Sequence, residues 1–232
     1  MERAISRFSR RSVGGNAGDR VYAILREAIV TAELSPGRQL SENELAGLLG
    51  VSRTPVRGAL ARLRDDRLVA IVPQLGTFVT LISRGGVEDA AFVREALECA
   101  AIRLTTERID ESGLEEIHAN LAAQERAEAE HDVDGFDRLD EELHRTICQH
   151  SGHEIAWALS RRANGHLDRV RRLSLPETDY MAEMLNDHRN LVASIANGTP
   201  AVAEARLREH LRKVLSNLDQ IRRRHPDYFE EE

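Results

Sequence analysis

Ser41-Glu42-Asn43-Glu44-Leu45-Ala46-Gly47-Leu48-Leu49-Gly50-Val51-Ser52-Arg53-Thr54-Pro55-Val56-Arg57 reads as two short helices joined by a tight turn. Ser41 is a helix N-cap, and Glu44, three positions on, completes a capping box. Leu45, Leu48 and Leu49 then share one helical face. Gly50 marks the stop, because glycine enters the left-handed conformation of a C′ position without steric cost. Ser52 caps a second helix with Pro55 in its first turn, where a missing N–H costs nothing. Val56, Leu60 and Leu63 form its inner side, while Arg53, Thr54, Arg57 and, further along, Arg62 and Arg64 lie outside. A planar guanidinium matches guanine O6 and N7 or a phosphate, and the free N–H groups of a helix N-terminus favour an anion. The pattern predicts a helix that enters a DNA groove; a solvated face of a small helical domain is the alternative.

Beyond Leu68 the period changes. Leu68-Val69-Ala70-Ile71-Val72 is β-rich, and Thr77-Phe78-Val79-Thr80-Leu81 resumes the alternation after Gly76, which predicts a hairpin, a wing after the recognition helix. In this order the parts resemble the winged helix-turn-helix of the GntR family of bacterial transcription regulators, over about residues 20–81. The likeness rests on Ser52 through Arg57, Pro36-Gly37, Leu40-Ser41-Glu42 and Gly76-Thr77-Phe78-Val79. It implies DNA contacts from Ser52, Arg53 and Arg57, and a wing tip that Gly76 lets approach the minor groove. With Ser41, Thr54 and Arg62 from the two helices, these residues make up the candidate DNA-binding set. Two positions depart from the family pattern: Asn43 stands where arginine is common, and Arg67 where glycine is usual. A left-handed Arg67 would carry strain of roughly 1 kcal/mol.

Charge divides the 232 residues unevenly. Residues 1–83 hold 12 basic against 8 acidic residues, a balance of +4, and residues 84–232 hold 20 against 31, −11, which together give the chain's −7. Only the N-terminal part therefore suits a polyanion, and the acidic remainder would be repelled by DNA. Residues 1–18, with Arg3, Arg7, Arg10, Arg11 and Gly14-Gly15-Asn16, lack a helical apolar stripe and read as a flexible basic arm. A winged helix-turn-helix domain follows over 19–83, and Ser83-Arg84-Gly85-Gly86 marks the boundary to an all-helical domain over 84–232. The fold class is mostly α: a winged helix-turn-helix with a small β-hairpin, then a helical bundle. Cys99 and Cys148 are isolated within helical patterns and read as reduced core thiols. With no targeting sequence and no apolar run near the roughly 20 residues of a membrane span, a cytoplasmic protein is expected.

In the second domain the pattern predicts helices over about 87–108, 112–131, 133–150, 153–174, 179–197 and 200–223, separated by glycine and proline. Phe136, Leu139, Leu143 and Ile147 form a buried stripe, with Asp140 and His144 on the same side at a spacing of four. His188 falls beside Leu191, Val192 and Ile195, and His210 beside Leu207, Leu211 and Val214. A single histidine on an apolar face is more often a satisfied core residue than a ligand. Several unpartnered imidazoles, each costing on the order of 1–3 kcal/mol to bury, ask for a shared explanation. A divalent metal ion supplies one, with zinc, nickel, manganese or iron suited to imidazole plus carboxylate. The remaining histidines, His118, His131, His150, His153, His166 and His225, read as surface or cap residues.

This helical segment is similar to FCD, the effector domain of the FadR-type branch of the same family. Its metal-binding members carry an Asp-x-x-x-His pair followed by two separated histidines, matched here by Asp140, His144, His188 and His210. The resemblance implies a divalent metal, zinc as first choice, a small carboxylate effector beside it, and Arg94, in Val93-Arg94-Glu95-Ala96-Leu97-Glu98, as an effector-binding residue. A salt bridge from Arg94 to Glu98, four residues on, is an equal alternative. The expected function is a dimeric transcriptional regulator, a repressor, that binds a palindromic double-stranded DNA operator under control of a small organic acid. A metal-dependent hydrolase and a regulator that senses the metal itself are the competing readings.

Overall fold

The computed structural model describes residues 2–9, 15–177 and 179–231. The chain divides into two compact units, one of Met1–Val87, Gly165–Arg169 and Gln220–Glu232, the other of Glu88–Asn164 and Val170–Asp219.

The first unit begins with α1 (Glu2–Ser9) and α2 (Ala17–Val30), followed by β1 (Gln39–Leu40), α3 (Glu42–Leu49), α4 (Arg53–Asp65), β2 (Val69–Val72) and β3 (Gly76–Val79). The helix starts are those the caps dictate. Ser41 Oγ accepts the Glu44 N–H at 3.4 Å, and Gly50 ends α3 with φ 64°, while the Val51 N–H reaches the Ala46 carbonyl at 3.1 Å. Ser52 takes the cap position of α4 with extended backbone, yet its hydroxyl makes no cap hydrogen bond and stays exposed. Arg67 is left-handed, φ 60°, as its place after α4 implies.

The hairpin forms as the alternation predicts, and a short strand adds to it. The sheet order is β1-β3-β2, antiparallel, with Ala70 opposite Phe78 and Leu40 opposite Thr77. Two residues are too few to show a period, so β1 left no pattern to read. Gly76 has φ 121°, where a side chain would be strained. Val21, Leu25 and Ile29 of α2, Leu45 of α3, and Val56, Leu60 and Leu63 of α4 fill the core. Losing one such leucine side chain to alanine costs about 2–5 kcal/mol.

The reading of residues 1–18 as an arm is corrected. Glu2–Ser9 form α1, and Ile5 and Phe8 are buried in the same core. Their spacing of three puts both on one helical face, a stripe too short to stand out in sequence. Arg10 to Gly14 lie outside the described residues. The non-contiguous pieces also join this unit: Arg26 and Asp168 form a buried ion pair, and Ile82 and Phe229 make a parallel bridge.

The remaining helices are α5 (Arg84–Arg108), α6 (Glu111–Ala129), α7 (Val133–His150), α8 (Ile155–Ala163), α9 (Gly165–Ser174), α10 (Tyr180–Asn197) and α11 (Pro200–Arg224), with a 3₁₀ turn at Pro226–Tyr228. Asp110 and Asp132 cap α6 and α7 through the N–H groups of Gly113 and Gly135, both at 2.9 Å. Gly85 and Gly86, expected to separate the domains, fall inside the first turn of α5, where Ser83 Oγ accepts the Gly86 N–H at 3.4 Å. The single helix expected over 153–174 is two, broken at Asn164. At the break a side chain on Gly165 would bring Cβ within 2.8 Å of the Asp66 carbonyl oxygen, so glycine permits a close backbone approach there.

Ile102, Ile117, Leu143, Ile147, Leu191, Val192 and Leu207 make the main core of the second unit. Cys99 and Cys148 are free and buried, and burial pushes their thiols up to about 11 and about 12. Both stay protonated and unreactive at neutral pH. Among the described residues no helix is long and apolar enough to cross a membrane.

Candidate functional site

Asp140 and His144 come from α7, His188 from α10 and His210 from α11, and all four are buried. One ligand atom from each lies within 4.8 Å of the others. His210 Nε2 is 3.3 Å from His144 Nε2 and 3.4 Å from His188 Nε2, and Asp140 Oδ1 is 3.3 Å from His188 Nε2. Ligands about 2.1 Å from one ion, at tetrahedral or octahedral angles, stand about 3.0–3.4 Å apart. The four residues that sequence spacing singled out are thus brought together at metal-binding separations.

Behind each imidazole stands an acceptor. His188 Nδ1 lies 2.6 Å from Gln124 Oε1, and Gln124 Nε2 donates to Asn120 Oδ1 at 2.7 Å while Asn120 Nδ2 donates to the Leu139 carbonyl at 3.1 Å. This run of amides leaves Gln124 only its oxygen for the ring, so His188 carries its proton on Nδ1 and turns the Nε2 lone pair inward. His144 Nδ1 is 2.7 Å from Glu98 Oε2, close but off the axis of a hydrogen bond, and His210 Nδ1 is 3.4 Å from Asp187 Oδ2. Lone pairs of three rings and one carboxylate therefore converge on a common point. A cation relieves that convergence, and the donor set fits a divalent ion.

Electrostatics put His144, His210 and Asp140 in the protonation states a metal needs. Burial holds the His144 imidazole below its ordinary value and pushes His210 down to about 3, so both rings are neutral. Burial opposes the charge on Asp140, but the Arg171 guanidinium bonded to its Oδ2 and the contact with His188 hold it well below the usual carboxylate range. Burial likewise opposes Glu98, which Arg94 and His144 nevertheless hold at about 2.

The cluster borders a small recess of about 20 Å³ lined by Arg94, Arg171, Asp140 and His210, together with Tyr180 and aliphatic side chains. Of the two readings of Arg94 the salt bridge is formed, its Nε donating to Glu98 Oε1 at 2.8 Å, and the side chain also lines the recess. Sequence reasoning missed Arg171, Tyr180, Gln124 and Asp187, and read Glu98 only as a partner of Arg94, not of His144. A signal existed for Gln124: with Ile117, Asn120 and Ala127 it recurs at helical spacing on the buried face of α6, so two amides sit where apolar residues are expected. Arg171 gave none, being one of several arginines on a short helix. His166, read as a surface or cap residue, is instead buried and accepts the Ser83 N–H at Nδ1, 3.3 Å.

In the first unit Ser41, Ser52, Arg53, Thr54 and Arg57 are exposed at the facing ends of α3 and α4, and Gly76 is half-buried at the wing. Arg53 Nη2 lies 3.2 Å from Glu42, with a side chain 62% exposed. Arg62 differs. It follows Arg53 by nine residues, roughly two and a half turns, and so lies across the helix. Its guanidinium stacks over the Tyr22 ring, 4.0 Å from the centroid, and bonds Asp19 at 2.7 Å.

Residues 17–79 match the family described as bacterial regulatory proteins, gntR family, and residues 89–213 match the FCD domain. An HTH-type transcriptional regulator from an unstable DNA locus of Streptomyces ambofaciens is 38% identical over 209 residues, 90% of this chain and 88% of that protein. The HTH-type transcriptional repressor RspR of Escherichia coli strain K12 is 32% identical over 212 residues, 91% and 93% of the two chains. Among solved structures, E. coli McbR/YncC shares the fold with a TM-score of 0.79 at 20% identity, over 89% of this chain and 99% of its own. A GntR regulator from Rhodococcus sp. RHA1 gives 0.70 at 25% identity, over 88% and 96%. This chain belongs to the GntR family of bacterial transcription regulators, as a DNA-binding regulator that carries an FCD effector domain.

Proposed function

We propose that the protein is a dimeric repressor that binds a palindromic operator and releases it when a small organic acid occupies the recess beside a divalent metal. Residues 19–83 read the DNA and residues 84–232 bind the effector and dimerise. The observation that carries this is the convergence of Asp140, His144, His188 and His210, next to a recess into which Arg94 and Arg171 both reach. A divalent ion held there, zinc as first choice, supplies positive charge and coordination positions beyond those the protein fills. The protein's own part is to keep His144 and His210 neutral, to aim all three imidazoles, and to present guanidinium N–H groups to a carboxylate. Such an acid shifts DNA binding only through different affinity for the DNA-competent and incompetent states. Arg53, Thr54, Arg57 and Ser52 would face the major groove, Ser41 and Arg62 the phosphates, and Gly76 the minor groove. The repressor reading is supported by RspR, a relative named as a repressor.

The test is a mobility shift with the zinc-loaded protein on the intergenic region beside its own gene, titrated with a panel of organic acids. Release of DNA by at least one acid is expected. DNA affinity that follows free metal and ignores every acid would overturn the effector assignment in favour of metal sensing. Undiminished binding by both Arg53→Ala and Arg57→Ala would overturn the recognition helix.

A further inference from the structure

Building on the dimer proposed above, we infer that two copies of this chain pair through the outer face of α5, antiparallel, with their two-fold axis at Ala96. Phe92 of α5 is 76% exposed, the most open large hydrophobic side chain among the described residues. Next to α5 lies α8, whose Ala156 and Trp157 pack with Leu97 and Ala101, and α8 exposes Ile155 and Leu159. Of the four large hydrophobics that the second unit leaves exposed among its described residues, three therefore stand on two neighbouring helices. Apolar side chains grouped in this way mark an interaction surface.

The occupant follows from the register of the face. Asp89, Phe92, Ala96, Ala100 and Arg103 are all exposed, and at about 100° per residue they fall within an arc of about 80°. Ala96 stands midway between Phe92 and Ala100, and midway between Asp89 and Arg103. A two-fold axis at Ala96 sets each Phe92 ring on the partner's Ala100, whose short side chain leaves room for it, and each Asp89 beside the partner's Arg103. Parallel pairing of the same face would bring like charges together at both positions, so charge selects the antiparallel arrangement. Arg103 also holds Glu204 of its own chain at 2.8 Å. The ion pairs thus fix register at the rim, while the two phenylalanines supply the affinity.

Sedimentation equilibrium of the full-length protein tests this. Phe92→Glu should raise the dimer dissociation constant about 100-fold or more, since two buried rings are lost per dimer, with no change in helix content. Asp89→Arg and Arg103→Asp should each raise it several-fold, and the two together less than either alone. Ala96→Cys places a thiol on the axis, so oxidation with copper phenanthroline should link it to its own copy. Ala119→Cys, exposed on α6, should not link, and Cys99 and Cys148 are buried and give no background. A dimer that Phe92→Glu leaves intact and that Ala96→Cys fails to link would overturn this face while leaving a dimer in place. Linking through Ala96→Cys without recovery in the double exchange would overturn the antiparallel register. An unaltered protein that sediments as a monomer at the concentrations where it binds DNA would overturn the dimer itself.

Discussion

His188 Nδ1 and Gln124 Oε1 stand 2.6 Å apart, and that contact, 64 positions across the sequence, decides which nitrogen of the ring faces the metal cluster. Removal of the amide frees the ring to change tautomer and orientation. Gln124→Ala is expected to weaken zinc binding about 10–100-fold, read by competition against a chromophoric chelator. DNA binding by the metal-free protein should not change. Zinc affinity equal to that of the unaltered protein would show that the ring is oriented by packing alone.

The arginines of α4 should separate by role. Arg53→Ala and Arg57→Ala are each expected to cost about 1–3 kcal/mol of DNA affinity with little change in melting temperature. Arg62→Ala should act the other way. It loses the stack on Tyr22 and the exposed pair with Asp19, roughly 0.5–1 kcal/mol of stability, and weakens DNA binding less than either of the others. Filter binding at two salt concentrations, beside thermal melts, measures both effects.

Stability should depend on His166 under mildly acid conditions. Burial, then the nearby Arg169 and Arg67 charges, lower this imidazole from 6.5 to about 4. Between those values the unfolded chain takes up a proton that the folded chain refuses, so folding is fully favoured above pH 6.5 and loses ground as pH falls towards 4. The loss attributable to this residue reaches about 3 kcal/mol. His166→Gln can still accept the Ser83 N–H and removes the titration, so urea unfolding of that variant should show a shallower decline over this window. Parallel pH profiles for the two proteins would refute the assignment.

Gly165→Ala should destabilise by about 1–3 kcal/mol, because the new Cβ would stand 2.8 Å from the Asp66 carbonyl oxygen and close to Leu68. Urea denaturation gives the value. The same substitution at exposed Gly58, where nothing lies within 4 Å of the added carbon, should be neutral or stabilising, since alanine suits a helix better than glycine.

The sequence by itself determined what depends on neighbours along the chain. Ser41, Glu44 and Gly50 fix one helix of the reading head, the alternation on either side of Gly76 fixes the wing, and the spacing of Asp140 and His144 places two ligands on one face of α7. Each rests on contacts a few residues apart, which dihedral preferences and helical periodicity encode directly. Ile5 and Phe8 make too brief a stripe to announce α1, whereas the turn-forming pair Asn164-Gly165 does stand at the break between α8 and α9 that the reading of one helix over 153–174 passed over. Only tertiary structure decided how the site is completed. Gln124 behind His188, Glu98 behind His144, Asp187 behind His210 and Arg171 on Asp140 are separated by 64, 46, 23 and 31 positions in sequence. Pairing over such distances follows from how helices pack. A histidine's sequence surroundings can place it on an inner face, but the partner that fixes its proton comes from whichever helix lies behind it.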